Sequence, residues 1–276
     1  MITISGSLDA DAKKEVSAGQ RFAFGENWKR FHRLLDQERI DDAVQSLRDM
    51  LETDTLEGRT FLDIGSGSGL FSLAAKMMGA TVRSFDFDPD SVACTAYLRD
   101  RFYPSDSSWV VEQGSVLDDD YMQKLGSFDI VYSWGVLHHT GAMWKALENA
   151  RARVAKGGLL FIAIYNDQGI ASRYWKVVKR VYCSRPLLRP FILGAHSLYP
   201  LLPTFVSRKL RSRREPRGMS IIHDFVDWVG GYPFEVSSPD RIVDVHCAGG
   251  FNLRKIRTVR GKMGCNEYVF ARGEGA

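Results

Sequence analysis

Thr60-Phe61-Leu62-Asp63-Ile64-Gly65-Ser66-Gly67-Ser68-Gly69-Leu70-Phe71-Ser72-Leu73 decides the fold of this chain. A short apolar run carries an acid, three glycines follow at every second position, and a helical apolar pattern then begins. That order is strand, tight turn, helix, the unit that binds nucleotide-like ligands at the carboxyl end of a parallel sheet. Gly65 and Gly67 give the turn access to positive φ and let backbone N–H groups approach a ligand with no Cβ in the way.

The spacing selects the ligand. A dinucleotide fingerprint reads Gly-x-Gly-x-x-Gly, whereas here the third glycine comes one residue early and Asp63 stands two residues before the first. An acid there sets like charges near a pyrophosphate but suits a ligand carrying an ammonium group. The pattern Asp-x-Gly-x-Gly-x-Gly resembles the first motif of class I S-adenosylmethionine-dependent methyltransferases. The resemblance implies S-adenosylmethionine as cofactor, with Asp63, Gly65, Ser66, Gly67 and Gly69 around it.

Further strand ends follow in that family's order, and the resemblance covers Leu56 to Tyr165. Thr81 to Asp86 reads as a second strand ending in an acid suited to vicinal ribose hydroxyls, with Phe87 next to it. Asp88-Pro89-Asp90 starts a helix with proline in its first turn. Trp109 to Val116 is a third strand and its exit, where the family contacts adenine. Many members carry an acid where this chain has Ser115, so the contact there falls to Ser115 and Val116 without a carboxylate. Phe128 to Ser133 is the fourth strand, placing Ser133 and Trp134 at its end, and Leu159 to Tyr165 the fifth. The final pair, Phe251 to Val259 and Asn266 to Ala271, would close a seven-stranded sheet after a helix over Pro239 to Ala248. The expected fold is therefore α/β and Rossmann-like, a mostly parallel sheet of order 3-2-1-4-5-7-6.

Four segments are expected. Residues 1–55 form an N-terminal arm with lid helices, 56–166 the cofactor-binding core, 167–238 a basic helical insertion after strand 5, and 239–276 the final helix and strand pair. Residues 1 to about 20 are polar and aperiodic, as in a loosely held arm. Phe22, Phe24 and Trp28 serve equally as a lid over the cofactor or as aromatics docking a helix. The stretch Trp28 to Ile40 is similar to the leading helix of ubiquinone-biosynthesis O-methyltransferases, which implies that Arg39 meets the methionine carboxylate of the cofactor. A plain surface pairing with Asp36 or Asp42 is its alternative.

Composition is that of a globular protein, 45% hydrophobic and 25% charged. The formal charge of +4 conceals an asymmetry: between Ala171 and Arg217 twelve bases stand against one acid, Glu215. Four prolines interrupt the apolar run Pro186 to Val206, so a membrane-spanning helix is not expected. The insertion is read as a helical lid or as an interfacial cap with a basic face resting on an anionic membrane. Four scattered cysteines make neither a disulfide framework nor a zinc site. The start of the chain lacks the pattern of a signal peptide; a cytoplasmic location, or the inner face of a membrane, is the expectation.

The chemistry expected is in-line methyl transfer to oxygen or nitrogen of a small molecule, an alignment problem first and a proton-removal problem second. His138 and His139 follow the fourth strand, where the family places residues next to the methyl; one of them is the candidate base. Tyr165 is a further catalytic candidate. Asn166, His223, Trp228 and Tyr232 are candidate substrate contacts, with Asp224 and Glu235 weaker ones, and no metal is expected. Rival classes are an RNA or protein methyltransferase using the basic segment, a non-catalytic cofactor-binding protein, and a NAD-dependent oxidoreductase, which the glycine spacing opposes. Ser133-Trp134-Gly135-Val136 also lacks the Asn-Pro-Pro-Tyr-like tetrapeptide of amino-directed nucleic-acid enzymes. Substrate identity and oligomeric state stay open.

Overall fold

Apolar runs that alternate with amphipathic segments bury both faces of a parallel sheet under helices. The computed structural model describes residues 6–25, 28, 35–196 and 228–273. The chain opens with α1 (Gly6–Ser17) and α2 (Gln37–Leu51). The alternating array follows as β1 (Thr60–Ile64), α3 (Leu70–Met77), β2 (Thr81–Asp86), α4 (Pro89–Phe102), β3 (Trp109–Gln113), α5 (Asp119–Lys124) and β4 (Phe128–Trp134). A 3-10 turn over Leu137–His139 leads to α6 (Met143–Ala152), β5 (Val154–Tyr165) and α7 (Ile170–Ser184). A second 3-10 turn at Pro186–Leu188 precedes a helical segment over 189–196. The end of the chain is α8 (Pro239–Ala248), β6 (Phe251–Arg257) and β7 (Cys265–Arg272).

The strands form one sheet of order β3-β2-β1-β4-β5-β7-β6. The first five run parallel, and β7 is antiparallel to both β5 and β6. The order reverses between β1 and β4, which puts the crevice for a ligand at their carboxyl ends. Alternation along each strand divides the core. Phe61, Tyr132 and Phe161 join Leu47 of α2 and Leu73 of α3 on one face. Leu62, Val131 and Ile162 join Leu147 of α6 and Ile242 of α8 on the other. A third cluster lies outside the sheet, where Trp175 and Tyr182 of α7 meet Val229 and Phe234, with Phe22 and Tyr165 against them.

Two elements depart from expectation. The polar start is a helix, because Ala10, Ala12, Lys13, Lys14 and Glu15 have high helix propensity, Lys13 pairs with Asp9 one turn back at 2.8 Å, and Ala12 is buried. Strand β5 begins at Val154, not Leu159. Val154 pairs with Phe128 and Leu159 with Ile130, so a bulge absorbs Lys156-Gly157-Gly158 within the strand.

Candidate functional site

The glycine turn takes the shape its residues permit. Gly65 and Gly67 have φ of 75° and 55°, in the left-handed region that costs a side-chain-bearing residue energy. A Cβ on Gly65 would also lie 2.4 Å from Val136 Cγ1. Gly65 N and Ser66 N both donate to Phe85 O, at 2.9 and 3.1 Å. Gly67 N donates to Asp86 Oδ2 at 2.9 Å, so the first loop and the end of β2 are bound to each other.

This turn forms one wall of a cavity of about 880 Å³. Asp63, Gly65, Ser66 and Gly67 line it on one side; Asp86, Phe87, Ser115 and Val116 line it next to them. Trp134 lines it too, its Nε1 donating to Glu267 Oε1 at 2.8 Å. The N-terminal arm crosses above with Phe22, Phe24 and Trp28 in the wall. Two backbone bonds fix that crossing: Phe22 N to Tyr232 O at 3.0 Å and Gly25 N to Asp88 Oδ2 at 2.9 Å. A cluster of rings, His139, Tyr165, Trp175 and Trp228, also lines the cavity.

Asp63 is buried and Asp86 half-buried, and desolvation pushes both up. Asp63 rises to about 7 mainly through desolvation, against a lowering bond from Ser72 and with the Asp86 charge adding. Asp86 rises to about 6 for the same first reason, with Asp88 beside it, while N–H bonds from Asp88 and Gly67 oppose the rise. Behind Asp63 runs a buried polar chain. Trp109 Nε1 donates to Ser84 Oγ at 3.0 Å, the Ser84 and Ser72 hydroxyls are 2.7 Å apart, and Ser72 Oγ donates to Asp63 Oδ2 at 2.5 Å. An indole N–H can only donate, so the chain has one direction and ends on the carboxylate.

The tandem histidines diverge. His139 lines the cavity and its Nδ1 stands 2.6 Å from Pro233 O. A carbonyl only accepts, so Nδ1 carries the proton and Nε2 is left as an acceptor. Burial, with the Lys179 charge second, lowers its pKa to about 3. His138 is fully buried and outside the wall, its Nδ1 accepting from Tyr165 N at 3.4 Å. Burial drives its pKa well below the ordinary value. Lys179 of α7 donates to Trp228 O and lies over the Trp228 and Phe234 rings at 4.2 and 4.8 Å.

Several expected contacts lie elsewhere. Arg39 is bound to Asp36, Nη1 to Oδ2 at 2.6 Å, beside the cap of α2, and does not line the cavity. Gly69 is the N-cap of α3, against Thr95 of α4. Ser133 donates to Ile64 O at 2.9 Å, tying β4 to β1. Asn166 accepts from Asn266 Nδ2 at 3.1 Å and its N donates to Gly264 O, so it braces the loop that brings Lys262 to Cys265 to the cavity edge. Tyr232 contributes its carbonyl to the arm. Glu235 caps α6 by accepting from Met143 N at 2.9 Å. His223 and Asp224 lie outside the described residues.

The wall also holds residues that sequence patterns did not signal. Arg21 lies 4.7 Å over the Phe87 ring, pairs with Glu15 at 2.7 Å, and donates to His139 O at 3.3 Å. Only its place beside Phe22 and Phe24 hinted at such a role. Lys262 and Met263 come from the turn between β6 and β7, far in sequence from any motif. Among the described residues no cluster of side chains could hold a metal.

Residues 31–193 match a family model described as a methyltransferase domain. The chain is 27% identical over 169 residues to the ubiquinone biosynthesis O-methyltransferase of Agrobacterium fabrum, across 61% of this chain and 62% of that protein. It is 30% identical over 119 residues to the tRNA U34 carboxymethyltransferase of Methylococcus capsulatus, across 43% of this chain and 36% of that protein. The chain thus spans less than two thirds of the length of either relative. The crystal structure of the magnesium protoporphyrin IX methyltransferase from Synechocystis PCC 6803 with bound SAH superposes with a TM-score of 0.51 at 14% identity, over 86% of this chain and 83% of that one. That likeness is one of fold.

Proposed function

Because the chain belongs to the methyltransferase-domain family through residues 31–193, we propose that it transfers a methyl group from S-adenosylmethionine to an oxygen or nitrogen of a small molecule. One observation carries the reading: buried Asp63, half-buried Asp86 and a glycine turn line one cavity with Tyr165, Trp175, Trp228 and His139, whose Nε2 is left as an acceptor. The cavity fits the cofactor. The backbone at Gly67 approaches with no Cβ, and Asp86 offers carboxylate oxygens of the kind that accept from vicinal ribose hydroxyls. Asp63 supplies negative charge for an ammonium group, and Ser115 and Val116 flank the space for adenine.

When bound, S-adenosylmethionine supplies a methyl carbon made electrophilic by its sulfonium. The chain's own residues then align and deprotonate the nucleophile. Tyr165 and Trp228 face an aromatic or amphipathic substrate with their rings, and Lys262 at the mouth favours an anionic group on it. His139 accepts the nucleophile's proton at Nε2. A weak base suffices, because the attacking hydroxyl oxygen takes on oxonium character as it gains a third bond to the methyl carbon, and its proton becomes far more acidic. His138, behind that ring, holds Tyr165 N and keeps the pair in place. Phe22, Phe24 and Trp28 exclude water over the reacting atoms.

Calorimetry tests the first half of the proposal: S-adenosylmethionine and its demethylated product bind and NAD does not. Asp86→Ala should lose about 1–3 kcal/mol of that binding, the scale of charge-assisted hydrogen bonds. Incubation of candidate phenols, catechols and amines with methyl-labelled cofactor tests the second half through mass gain. Labelling of RNA and of no small molecule would favour the alternative, an RNA methyltransferase using the basic segment.

A further inference from the structure

Helix α7 has two unlike faces. Ser172, Trp175, Lys179, Tyr182 and Cys183 are buried, and Trp175 reaches the cavity wall. On the opposite side Ile170, Tyr174 and Val177 recur at spacings of four and three, 77%, 53% and 62% exposed. Successive helical positions turn by 100°, so these three make one stripe and Arg173, Lys176 and Arg180, all exposed, lie along its flank. The chain then bends at Pro186, where Leu187 is 88% exposed, and Phe191 follows at 73%. Arg185 is exposed at the bend. From Gln168 to His196 the sequence contains no acid.

We propose that this face, from Ile170 to Phe191, docks the protein on an anionic lipid bilayer. Large aliphatic side chains in water cost free energy that a hydrocarbon boundary recovers. Bases beside them gain from anionic headgroups at the same depth. A nucleic acid would satisfy the bases but leave Ile170, Val177 and Leu187 in water. A second copy meeting this patch about a two-fold axis would set the patch's bases against themselves, with no acid within it to answer them. The bilayer meets both halves of the chemistry. Since α7 also walls the cavity through Trp175, the docked face and the substrate end are two sides of one helix. The inference concerns location and stands apart from the identity of the methyl acceptor.

The test is co-sedimentation of the full chain with vesicles of phosphatidylcholine alone, and with vesicles containing about 30% phosphatidylglycerol. The protein should sediment with the anionic vesicles and not the neutral ones, and progressively less as salt shortens the screening length below about 8 Å. The triple change Arg173→Gln, Arg180→Gln and Arg185→Gln should weaken binding at least tenfold. The double change Val177→Gln and Leu187→Gln should do so at unchanged charge. Both variants should keep the wild-type calorimetric affinity for S-adenosylmethionine, which separates a lost docking face from a lost fold or a failed cofactor reading. Absence of wild-type binding to anionic vesicles at low salt overturns the proposal. So does vesicle binding that neither variant alters, binding of RNA but not vesicles through the same bases, or a dimer in solution that Val177→Gln and Leu187→Gln dissociate.

Discussion

Asp63 is where a single hydroxyl has most leverage. Its carboxylate is buried, near pKa 7, and held down by the bond from Ser72. Ser72→Ala removes that donor without opening the site. The remaining carboxylate then favours its protonated form more strongly, and attraction for a cofactor ammonium weakens at neutral pH. We expect a loss of about 10–100-fold in S-adenosylmethionine affinity at pH 7, the scale of a hydrogen bond to a charged group. The loss should shrink toward pH 9, where either form of the site is ionised. Calorimetry across pH 6 to 9 checks this, and a loss independent of pH would mean that Ser72 acts on packing alone. His139 behaves in the opposite sense. It is neutral throughout that range, so His139→Ala should lower turnover by about 10²–10⁴-fold without removing any inflection between pH 6 and 8. An inflection near 6.5 that vanishes in the variant would contradict the burial of this ring.

Among the elements, the strands were legible and the approaches to the site were not. β2 and α8 fall where hydrophobic runs and a proline-led start put them, because both depend on local signals: a buried strand ending in an acid, and proline at the first helical turn. The glycine turn, Asp86, Phe87 and Trp134 were legible for the same reason, each standing at a strand end. Arg21, Lys262 and Met263 were not, since their positions depend on how an arm and a β-turn fold back over the sheet. For Arg39 a helix-level likeness suggested a ligand contact, while in the structure Asp36 pairs with its guanidinium. Glu235 looked chemical and instead serves an element. Its carboxylate accepts from the first N–H of α6 and meets the positive end of that helix. Glu235→Ala should therefore cost about 1 kcal/mol in urea unfolding with cofactor affinity unchanged. The arm gives the complementary case: Phe24, 5.1 Å from the His139 ring, covers the site without supporting the sheet. Phe24→Ala should raise KM severalfold and leave the unfolding midpoint almost in place.

For the whole molecule, buried ionisable groups couple stability to ligand binding. Asp63 and Asp86 have folded pKa values near 7 and 6, above the ordinary value of about 3.9 for an unfolded chain. The folded state holds protons that the unfolded state has released, so these two groups lend stability below pH 4 that is lost as pH rises to 7, at up to about 1.4 kcal/mol per pH unit each. His138, His139 and His246 act in the other direction. Burial keeps them neutral, and stability is lost as pH falls below about 6.5, where the unfolded histidines take up protons. The melting temperature of the free protein mixes these trends, but the increment produced by the cofactor does not. A cationic ammonium and ribose hydroxyls both favour ionised acids, and the histidines are neutral with or without ligand. At a hundredfold excess over Kd the cofactor adds about 2.7 kcal/mol, or roughly 5–10 °C for a chain of this size. That increment should be larger at pH 8 than at pH 5.5 when cofactor concentration is held fixed. In Asp63→Asn it should be smaller at pH 8, and its rise between the two pH values should shrink to the part that Asp86 contributes. Thermal scans of both proteins with and without S-adenosylmethionine decide it: equal increments at both pH values in the wild type would mean that neither acid changes its ionisation on binding.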